Sequence, residues 1–268
     1  MAAPLELSLG LDLTSVLYVL KTFFILYAST TAVIYFCLIY DTLEIYSNKH
    51  VGLIGKRTLI LTAHPDDECM FFSPAIIQLC KTSEVFVLCT TSGDYYKQGE
   101  VRKKELLESC KILGVADHNI QVLDDSAFLD GPNAQWDFTH LGDQLRTVID
   151  SFKPAIILTF DDQGVSGHAN HISVSKAARQ VLQPSSFSHG EMKLFELESV
   201  SLLRKYVSFM ELPFSLASGL PTFVSSMSEV FRAQKAMCAH RSQMVWFRAL
   251  YILLSRYMVI NTFREVPI

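Results

Sequence analysis

The sequence predicts an α/β protein with a Rossmann-like three-layer sandwich and a mainly parallel sheet, preceded by one N-terminal transmembrane helix. Two observations predict the sandwich. From Arg57 onward, short aliphatic runs alternate with segments of helical periodicity, and the runs are continuously apolar, as in strands buried on both faces. The helix is predicted by the stretch from Thr22 to Tyr40, which contains no charged side chain.

The N-terminal helix is long enough to cross a bilayer, because at ~1.5 Å per residue Thr22–Tyr40 spans roughly the ~30 Å hydrocarbon core. A cleaved signal peptide usually has a shorter apolar region after a basic start, and this chain has no Lys or Arg before Lys21. A buried core helix would carry a polar stripe, which this stretch lacks. The sequence therefore favours an uncleaved membrane anchor in residues 1–50, with the spanning helix at about 17–40.

Basic residues beside the helix predict its orientation. Lys49, Lys56 and Arg57 follow it, whereas only Lys21 lies on its N-terminal side. Because cytoplasmic flanks carry the excess of Lys and Arg, the domain after the helix is predicted to face the cytosol.

Charge and cysteine content argue against two classes of protein. The formal net charge is -4, the pI is about 6.1, and no long run of Lys or Arg is present, so nucleic acid is not a predicted partner. The 6 cysteines form no CxxC pair and lie mostly in apolar runs. They are predicted to be reduced core residues rather than disulfides or metal ligands.

Strands and helices follow one another in pairs after residue 57. The strands are short apolar runs, and the helices repeat apolar residues at intervals of three and four. The predicted pairs are strand Thr58–Ala63 with helix Cys69–Lys81, strand Val85–Thr90 with helix Glu100–Leu113, strand Ile120–Leu123 with helix Thr139–Phe152, strand Ala155–Thr159 with helix Asn170–Leu182, and strand Leu194–Leu197 with a shorter helical stretch. No repeat or Gly/Ser linker interrupts the series, so residues 51–268 are predicted to be one domain.

Polar clusters follow the first four predicted strands. They read TAHPDDE, TSGDYYKQGE, DDSAFLDG and FDDQGVSGHANH. Because an open α/β sheet binds its ligand beyond the carboxyl ends of its strands, these loops are predicted to form the functional site.

Two of the loops carry the residue types of a hydrolytic zinc site, which needs three ligands and an open position for water. His64 and Asp67 leave the first strand, and the HxxH motif at 168–171 opens a helix, so that one or both of its histidines can point into the same crevice. Taken singly, Asp66 and Asp67 are ordinary helix caps, and His168 and His171 are ordinary histidines of a loop and a partly buried helix. Their joint occurrence at one sheet edge predicts a metal site, but the spacing leaves open which aspartate reaches the metal.

Three stretches occur in a characteristic order: AHPDDE at 63–68, SGDYYKQGEVRKKEL at 92–106 and GVSGHANH at 164–171. Together they resemble the LmbE-like (PIG-L-type) family of zinc-dependent deacetylases, and the resemblance covers Arg57–His240. It implies a hydrolase that removes acetate from the glycolipid N-acetylglucosaminyl-phosphatidylinositol at the endoplasmic reticulum membrane, with one Zn²⁺ per chain. Two alternatives remain: deacetylation of another N-acetylglucosamine conjugate, and a metal-binding membrane scaffold without activity.

The resemblance also implies a role for each residue of the metal site. His64, Asp67 and His171 match the family's metal ligands. Asp66 matches its general base, a carboxylate that takes a proton from water and passes it to the leaving amine. His168 matches the histidine that stabilises the tetrahedral intermediate.

The second loop is predicted to contact the substrate. Gly93 permits a close approach of the backbone, and Arg102 can reach the inositol phosphate or a sugar hydroxyl with its planar guanidinium. Asp94 lies between them and belongs to the same predicted contact. The alternative is that Arg102 only shapes the loop through an ion pair with Glu105 or Asp94. Glu68 is predicted to support the metal ligands without binding the metal.

Large apolar residues recur through the segment Met244–Asn261. Arg241 lies just before this segment, and Arg248 and Arg256 lie within it. The arginines recur at intervals of seven and eight, so a helix would place them on one face. Interior arginines argue against a second membrane span. The segment is predicted to be an amphipathic helix, which either lies on the bilayer or packs on the core.

Overall fold

The computed structural model of the protein describes residues 13–46, 52–131, 134–183 and 192–267. The chain divides into two compact units, Met1–Glu44 and Ile45–Ile268. The predicted boundary between residues 50 and 51 lies outside the described residues.

The first helix, α1 (Leu13–Tyr46), extends beyond the predicted span of 17–40 at both ends. Its segment Thr14–Tyr35 is the only stretch of the described chain that is both long and apolar enough to cross a membrane. Most large apolar side chains of Thr14–Tyr35 are exposed, among them Phe23 and Phe24. By length and composition, α1 is therefore the candidate for the predicted anchor.

The strands of the second unit form one seven-stranded sheet within its described residues. In chain order they are β1 (Thr58–Thr62), β2 (Val85–Cys89), β3 (Ile120–Val122), β4 (Ile156–Phe160), β5 (Lys193–Leu197), β6 (Thr222–Val224) and β7 (Ile260–Val266). Their order across the sheet is β3-β2-β1-β4-β5-β7-β6. Strands β1 to β5 pair in parallel, whereas β7 pairs antiparallel with both β5 and β6. The predicted α/β fold with a mainly parallel sheet is confirmed.

The helices follow the predicted alternation with one exception. They are α2 (Asp67–Phe71), α3 (Ser73–Leu79), α4 (Gly99–Leu113), α5 (Phe138–Phe152), α6 (Gly164–Gly167), α7 (Ala169–Val181), α8 (Leu202–Lys205), α9 (Leu212–Ala217), α10 (Met227–Ala239) and α11 (Trp246–Leu254). The single helix predicted over Cys69–Lys81 is wrong, because α2 and α3 are separate and meet at Phe72. Pro74 lies in the first turn of α3, where its missing N–H is tolerated, and a continuous helix cannot run through it.

Two helical layers bury the sheet. Every residue of β1 is buried, which explains its continuously apolar sequence. Leu59 and Leu61 of β1 pack with Leu145 of α5 and Val174 of α7 in one cluster. The other layer contains α3, α4 and α10, which contact one another. This packing fixes the carboxyl ends of β1 and β4 side by side.

The helix predicted over Met244–Asn261 is shorter than expected. Only α11 is helical; Arg256 follows in a 3-10 turn, and Asn261 already belongs to β7. Arg256 is fully buried, with its Nε 3.3 Å from Glu211 Oε2. The predicted common face of the three arginines is therefore wrong, because pairing of β7 with β5 ends the helical conformation.

Candidate active site

The loops that follow β1 and β4 meet at one edge of the sheet. His64, Asp66 and Asp67 follow β1, and His168 and His171 follow β4, the parallel neighbour of β1. All of them are buried except His168, which is partly exposed. The structure therefore brings together the five residues for which the sequence predicted a metal or catalytic role.

The three histidine rings surround one point. The ring centroid of His168 is 4.8 Å from that of His64 and 4.7 Å from that of His171. One nitrogen of each ring lies within 4.8 Å of the others. Asp67 belongs to the same cluster, with Oδ1 3.2 Å from His171 Nε2 and Oδ2 3.6 Å from His64 Nδ1. Two possible ligand triads thus share His64 and His171 and differ in the third member, Asp67 or His168.

Backbone contacts hold the shared members of this cluster. Asp67 Oδ2 accepts hydrogen bonds from two backbone N–H groups of the β1 turn, at 2.8 and 3.0 Å. His171 Nδ1 lies 3.2 Å from the carbonyl oxygen of Gly164, and the ring stacks on Phe160. When Nδ1 donates to that carbonyl, Nε2 keeps its lone pair, which is the form in which histidine binds a metal.

The cluster has the properties of a divalent cation site. Nδ1 of His168 is buried and forms no hydrogen bond with any residue that the structure describes, and Nε2 of His64 lies 3.3 Å from Asp130 Oδ1 without meeting it in hydrogen-bond geometry. Buried polar atoms without a partner are rare and costly, and an ion held by the cluster would give them one. Imidazole nitrogens with a single carboxylate oxygen are a donor set that zinc accepts in catalytic sites.

Charges within the cluster keep Asp67 anionic. Burial alone would raise the pKa of Asp67, but His171 and His64 hold it well below its ordinary value. Burial lowers the pKa of His64, yet Asp130 and Asp67 outweigh burial and raise that pKa to about 9. Burial, with the charges of His171 and His64, lowers the pKa of His168 to about 4. In the metal-free protein, a protonated His64 therefore lies between carboxylates, and His168 is neutral.

Asp66 has a strained backbone and a buried carboxylate. Its φ of 121° is rare for a residue other than glycine. Its carboxylate lies 3.0 Å from Arg248 Nη2 and 3.8 Å from Arg102 Nη2, and it makes no helix-cap hydrogen bond. Burial raises the pKa of Asp66, although both arginines favour its charged form. A buried carboxylate with a raised pKa beside a candidate metal site has the properties of a general base.

The Glu68 side chain fixes the backbone of Asp66 through a hydrogen bond. Its Oε2 accepts the Asp66 backbone N–H at 3.0 Å. Its Oε1 lies 2.8 Å from His240 Nε2 and accepts a hydrogen bond from the Ser109 hydroxyl. Burial would raise the pKa of Glu68, but the charge of His240 lowers it, so this buried carboxylate stays ionised.

Sequence reasoning did not assign Asp130, Arg248 or His240 to the site. Asp130 Oδ1 lies 3.3 Å from His64 Nε2, and its place after a strand in the loop DDSAFLDG was its one signal. Arg248 comes from α11 and His240 follows α10, 172 positions from the residue it contacts, Glu68. No local spacing could have indicated either residue.

Arg102 is buried and held from three sides. It donates hydrogen bonds to the carbonyl oxygens of Gly93 at 2.9 Å and Pro65 at 2.7 Å. Its Nη1 also lies 3.3 Å from Asp130 Oδ2. Because Asp130 contacts His64 as well, Arg102 connects the second loop with the group of candidate metal ligands.

The other residues of the second loop shape it. Gly93 has a φ of 72°, and a Cβ there would overlap the Arg102 guanidinium, so only glycine fits. The Asp94 carboxylate accepts the backbone N–H of Gly99 at 2.7 Å. Neither Asp94 nor Glu105 pairs with Arg102 among the described contacts, so the ion pairs predicted as alternatives are wrong.

A cavity of about 750 Å³ opens over the cluster. Arg102 and all five predicted metal and catalytic residues line this cavity. Gly93 and Asp94 are not among the lining residues. Apolar side chains of α11 also line it, among them Trp246, Phe247 and Leu250, and all three are exposed to solvent. The cavity therefore combines a polar inner end with an apolar opening.

Several known proteins with similar sequences or a similar fold are named as deacetylases. The PIG-L family model, described as GlcNAc-PI de-N-acetylase, matches residues 59–182. N-acetylglucosaminyl-phosphatidylinositol de-N-acetylase from Bos taurus is 44% identical over 210 residues, which are 78% of this chain and 83% of that protein. The probable N-acetylglucosaminyl-phosphatidylinositol de-N-acetylase from Dictyostelium discoideum is 33% identical over 244 residues, covering 80% and 95%. The structure of N,N'-diacetylchitobiose deacetylase from Pyrococcus horikoshii shares the fold, with a TM-score of 0.59 at 17% identity and coverage of 86% and 90%.

Proposed function

The chain belongs to the PIG-L family of GlcNAc-PI de-N-acetylases, and we propose that it hydrolyses the acetamide of N-acetylglucosaminyl-phosphatidylinositol. The products are acetate and glucosaminyl-phosphatidylinositol, and the reaction is the second step of GPI-anchor biosynthesis. The observation that carries the proposal is the buried cluster of His64, Asp67 and His171 beside Asp66, in a chain 44% identical to the Bos taurus relative.

In this proposal His64, Asp67 and His171 hold one divalent cation, Zn²⁺. Bound there, such an ion would supply Lewis-acid chemistry: it would polarise the acetamide carbonyl and lower the pKa of a water molecule toward ~7. Asp67 is chosen as the third ligand over His168 because it lies between the other two ligands and stays anionic, which offsets part of the cation's charge. Iron, cobalt and manganese also suit two histidines and one carboxylate, so the metal is identified by measurement.

Asp66 serves as the general base. Its carboxylate takes a proton from the attacking water and delivers it to the amide nitrogen, after which the C–N bond breaks. The raised pKa of Asp66 suits both transfers, and the nearby guanidinium of Arg248 keeps the resting carboxylate charged. The protein forms no covalent bond with the substrate.

His168 donates a hydrogen bond to the oxyanion that develops during attack. An imidazole carries at least one N–H donor whether it is neutral or protonated. It lies beside the ligand cluster and lines the cavity. A donor in this role is typically worth ~3 to 4 kcal/mol of transition-state stabilisation.

The membrane completes the proposal, because the substrate is a lipid. We place the protein in the endoplasmic reticulum membrane as a single-pass protein, anchored by α1, with its catalytic domain facing the cytosol. Trp246 and Leu253 of α11 expose 77% and 62% of their surface, so this short helix suits contact with a bilayer better than core packing.

Two alternatives use the same residues. Deacetylation of a soluble N-acetylglucosamine conjugate would need the metal cluster but neither the apolar opening of the cavity nor α1. A metal-binding scaffold would need the ligands but no strained, buried carboxylate at Asp66.

One experiment separates the three. Purified full-length protein in mixed micelles is incubated with N-acetylglucosaminyl-phosphatidylinositol and, separately, with a soluble N-acetylglucosaminide, and released acetate is measured. We expect preference for the lipid and a loss of roughly a hundredfold or more for Asp66→Asn. Preference for the soluble sugar would contradict the substrate, and unimpaired hydrolysis by Asp66→Asn would contradict the mechanism.

A further inference from the structure

A buried lysine lines the cavity and has no acidic partner. Lys205 ends α8 with only 7% of its surface exposed. Its Nζ donates a hydrogen bond to the Ser166 hydroxyl at 2.6 Å, and no carboxylate of the described residues forms an ion pair with it. An ammonium group that is buried without an anion is costly, so such a lysine points to a ligand that supplies the missing charge.

A second cation lies close to the first. Arg248 of α11 lines the same cavity, and the Tyr251 ring, one turn further along α11, contacts the Tyr206 ring at 6.3 Å. Tyr206 directly follows Lys205 in the chain. Burial, together with the positive charge of Arg248, lowers the pKa of Lys205 below its ordinary value. Arg248 already pairs with Asp66 at 3.0 Å, so Lys205 carries the positive charge at this cavity wall that no carboxylate of the described residues neutralises, and an anion beside both cations would balance it.

We propose that Lys205, with Arg248 and the Ser166 hydroxyl, binds the phosphodiester of the glycolipid substrate. This assignment rests on the function proposed above and adds the group of the substrate that the cavity recognises. The anion would relieve the repulsion between the two cations and accept charge-assisted hydrogen bonds from both.

The position of this cation pair matches the order of groups in the substrate. Lys205 contacts Ser166, which lies two residues before His168 in the chain, and Lys205 and His168 line the same cavity. On the other side, the exposed Trp246 and Leu250 of α11 line the opening of the cavity. An acetylated sugar at the cluster, a phosphate at Lys205 and acyl chains at α11 follow one another as they do along the lipid.

The assignment is tested by comparing two substrates, N-acetylglucosaminyl-phosphatidylinositol and the phosphate-free N-acetylglucosaminyl-inositol. The specificity ratio, kcat/KM for the lipid over kcat/KM for the phosphate-free compound, is measured for the full-length wild type and for Lys205→Met. We expect Lys205→Met to lower this ratio roughly tenfold, mainly through the KM of the lipid. Lys205→Arg, which keeps the charge, should retain most of the ratio. Lys176→Met, which removes an exposed lysine of α7, should not change it.

A second measurement uses the wild type alone, so it remains informative if Lys205→Met does not fold. Glycerophosphoinositol, a soluble phosphodiester, and myo-inositol are compared as inhibitors of acetate release from the phosphate-free substrate. We expect glycerophosphoinositol to inhibit at roughly tenfold lower concentration.

The outcomes separate this assignment from the proposed function. Acetate release from neither substrate by the wild type would overturn the function itself. If the wild type is active and Lys205→Met has the same specificity ratio, the phosphate site alone is overturned. This includes the case in which kcat/KM falls by the same factor for both substrates. Equal inhibition by glycerophosphoinositol and myo-inositol would overturn it as well.

Discussion

Asp66 is fixed by contacts from distant parts of the chain. Its backbone conformation, with φ at 121°, costs about 1–3 kcal/mol for a residue other than glycine. Glu68 accepts its backbone N–H, and Arg248 and Arg102 lie beside its carboxylate. These contacts offset the strain and prevent the carboxylate from rotating away from the metal cluster, which is what a general base requires.

Arg248 should set both the position and the pKa of Asp66. Replacing it, in Arg248→Gln, is expected to lower kcat roughly tenfold or more on the phosphate-free substrate, where phosphate binding makes no contribution. Because Arg248 lowers the pKa of Asp66, its removal raises that pKa further. Protonated Asp66 is not a base, so the acidic limb of the pH profile of kcat should move to higher pH.

Arg248→Lys is the matched control for this prediction, because it retains the charge. Its acidic limb should stay closer to that of the wild type. An acidic limb that does not move in an active Arg248→Gln variant would show that Arg248 does not act on Asp66. The other charged groups near Asp66, which are Arg102, Asp67 and His240, are present in every variant.

Residue types and spacing predicted the part of the site that lies within single loops. His64 and Asp67 occupy one turn, and His171 opens the helix after an adjacent strand, so the order of the strands was enough to bring them together. Arg102, Arg248 and His240, which lie near Asp66, come from α4, α11 and the residue after α10, and only the tertiary fold brings them to β1. Periodicity carries no information about contacts of this kind.

Among the elements, α11 is the one that we propose to connect the lipid with the site. It is only nine residues long, and one side of it supplies Arg248 to Asp66 while Trp246, Phe247 and Leu253 remain exposed. A helix with such an apolar surface beside a cavity opening can lie in the bilayer interface and admit a lipid headgroup.

This role of α11 predicts that the second unit binds membranes without α1. A chain shortened to begin after Tyr46 should bind liposomes, and Trp246→Ser combined with Leu253→Ser should weaken that binding by roughly tenfold or more. Leu107→Ser, which removes an exposed leucine of α4, is the control and should bind like the unsubstituted short chain. If the short chain has no affinity for liposomes, α11 is not a membrane-binding helix.

The elements also show where sequence patterns stop being informative. Strands β1, β2 and β4 were predicted because burial on both faces makes them almost continuously apolar, and β3 and β5 were predicted from shorter apolar runs. Strands β6 and β7 were missed: β6 has three residues, and β7, INTFREV, follows an apolar helix with which its sequence merges. The break between α2 and α3 at Phe72 had a visible cause in Pro74, which the prediction did not use.

For the whole molecule, lipid recognition depends on a few groups rather than on overall charge. The net charge is -4, so general attraction to anionic lipids is not expected. The apolar excess, a mean hydropathy of +0.26, includes the long uncharged stretch in α1. In the proposed function, specific binding of the glycolipid therefore falls to the cavity, with its candidate metal ligands, the cations Lys205 and Arg248, and its apolar opening.

The most direct test of metal-dependent deacetylation is a titration of the metal-free, full-length protein with Zn²⁺, in which bound metal and acetate release from N-acetylglucosaminyl-phosphatidylinositol are measured together. We predict that activity rises in proportion to bound metal and saturates at about one ion per chain. Asp66→Asn should bind the ion and stay inactive, whereas His171→Ala should lose both. Full activity in the metal-free protein, or an active Asp66→Asn variant, would contradict the proposed chemistry.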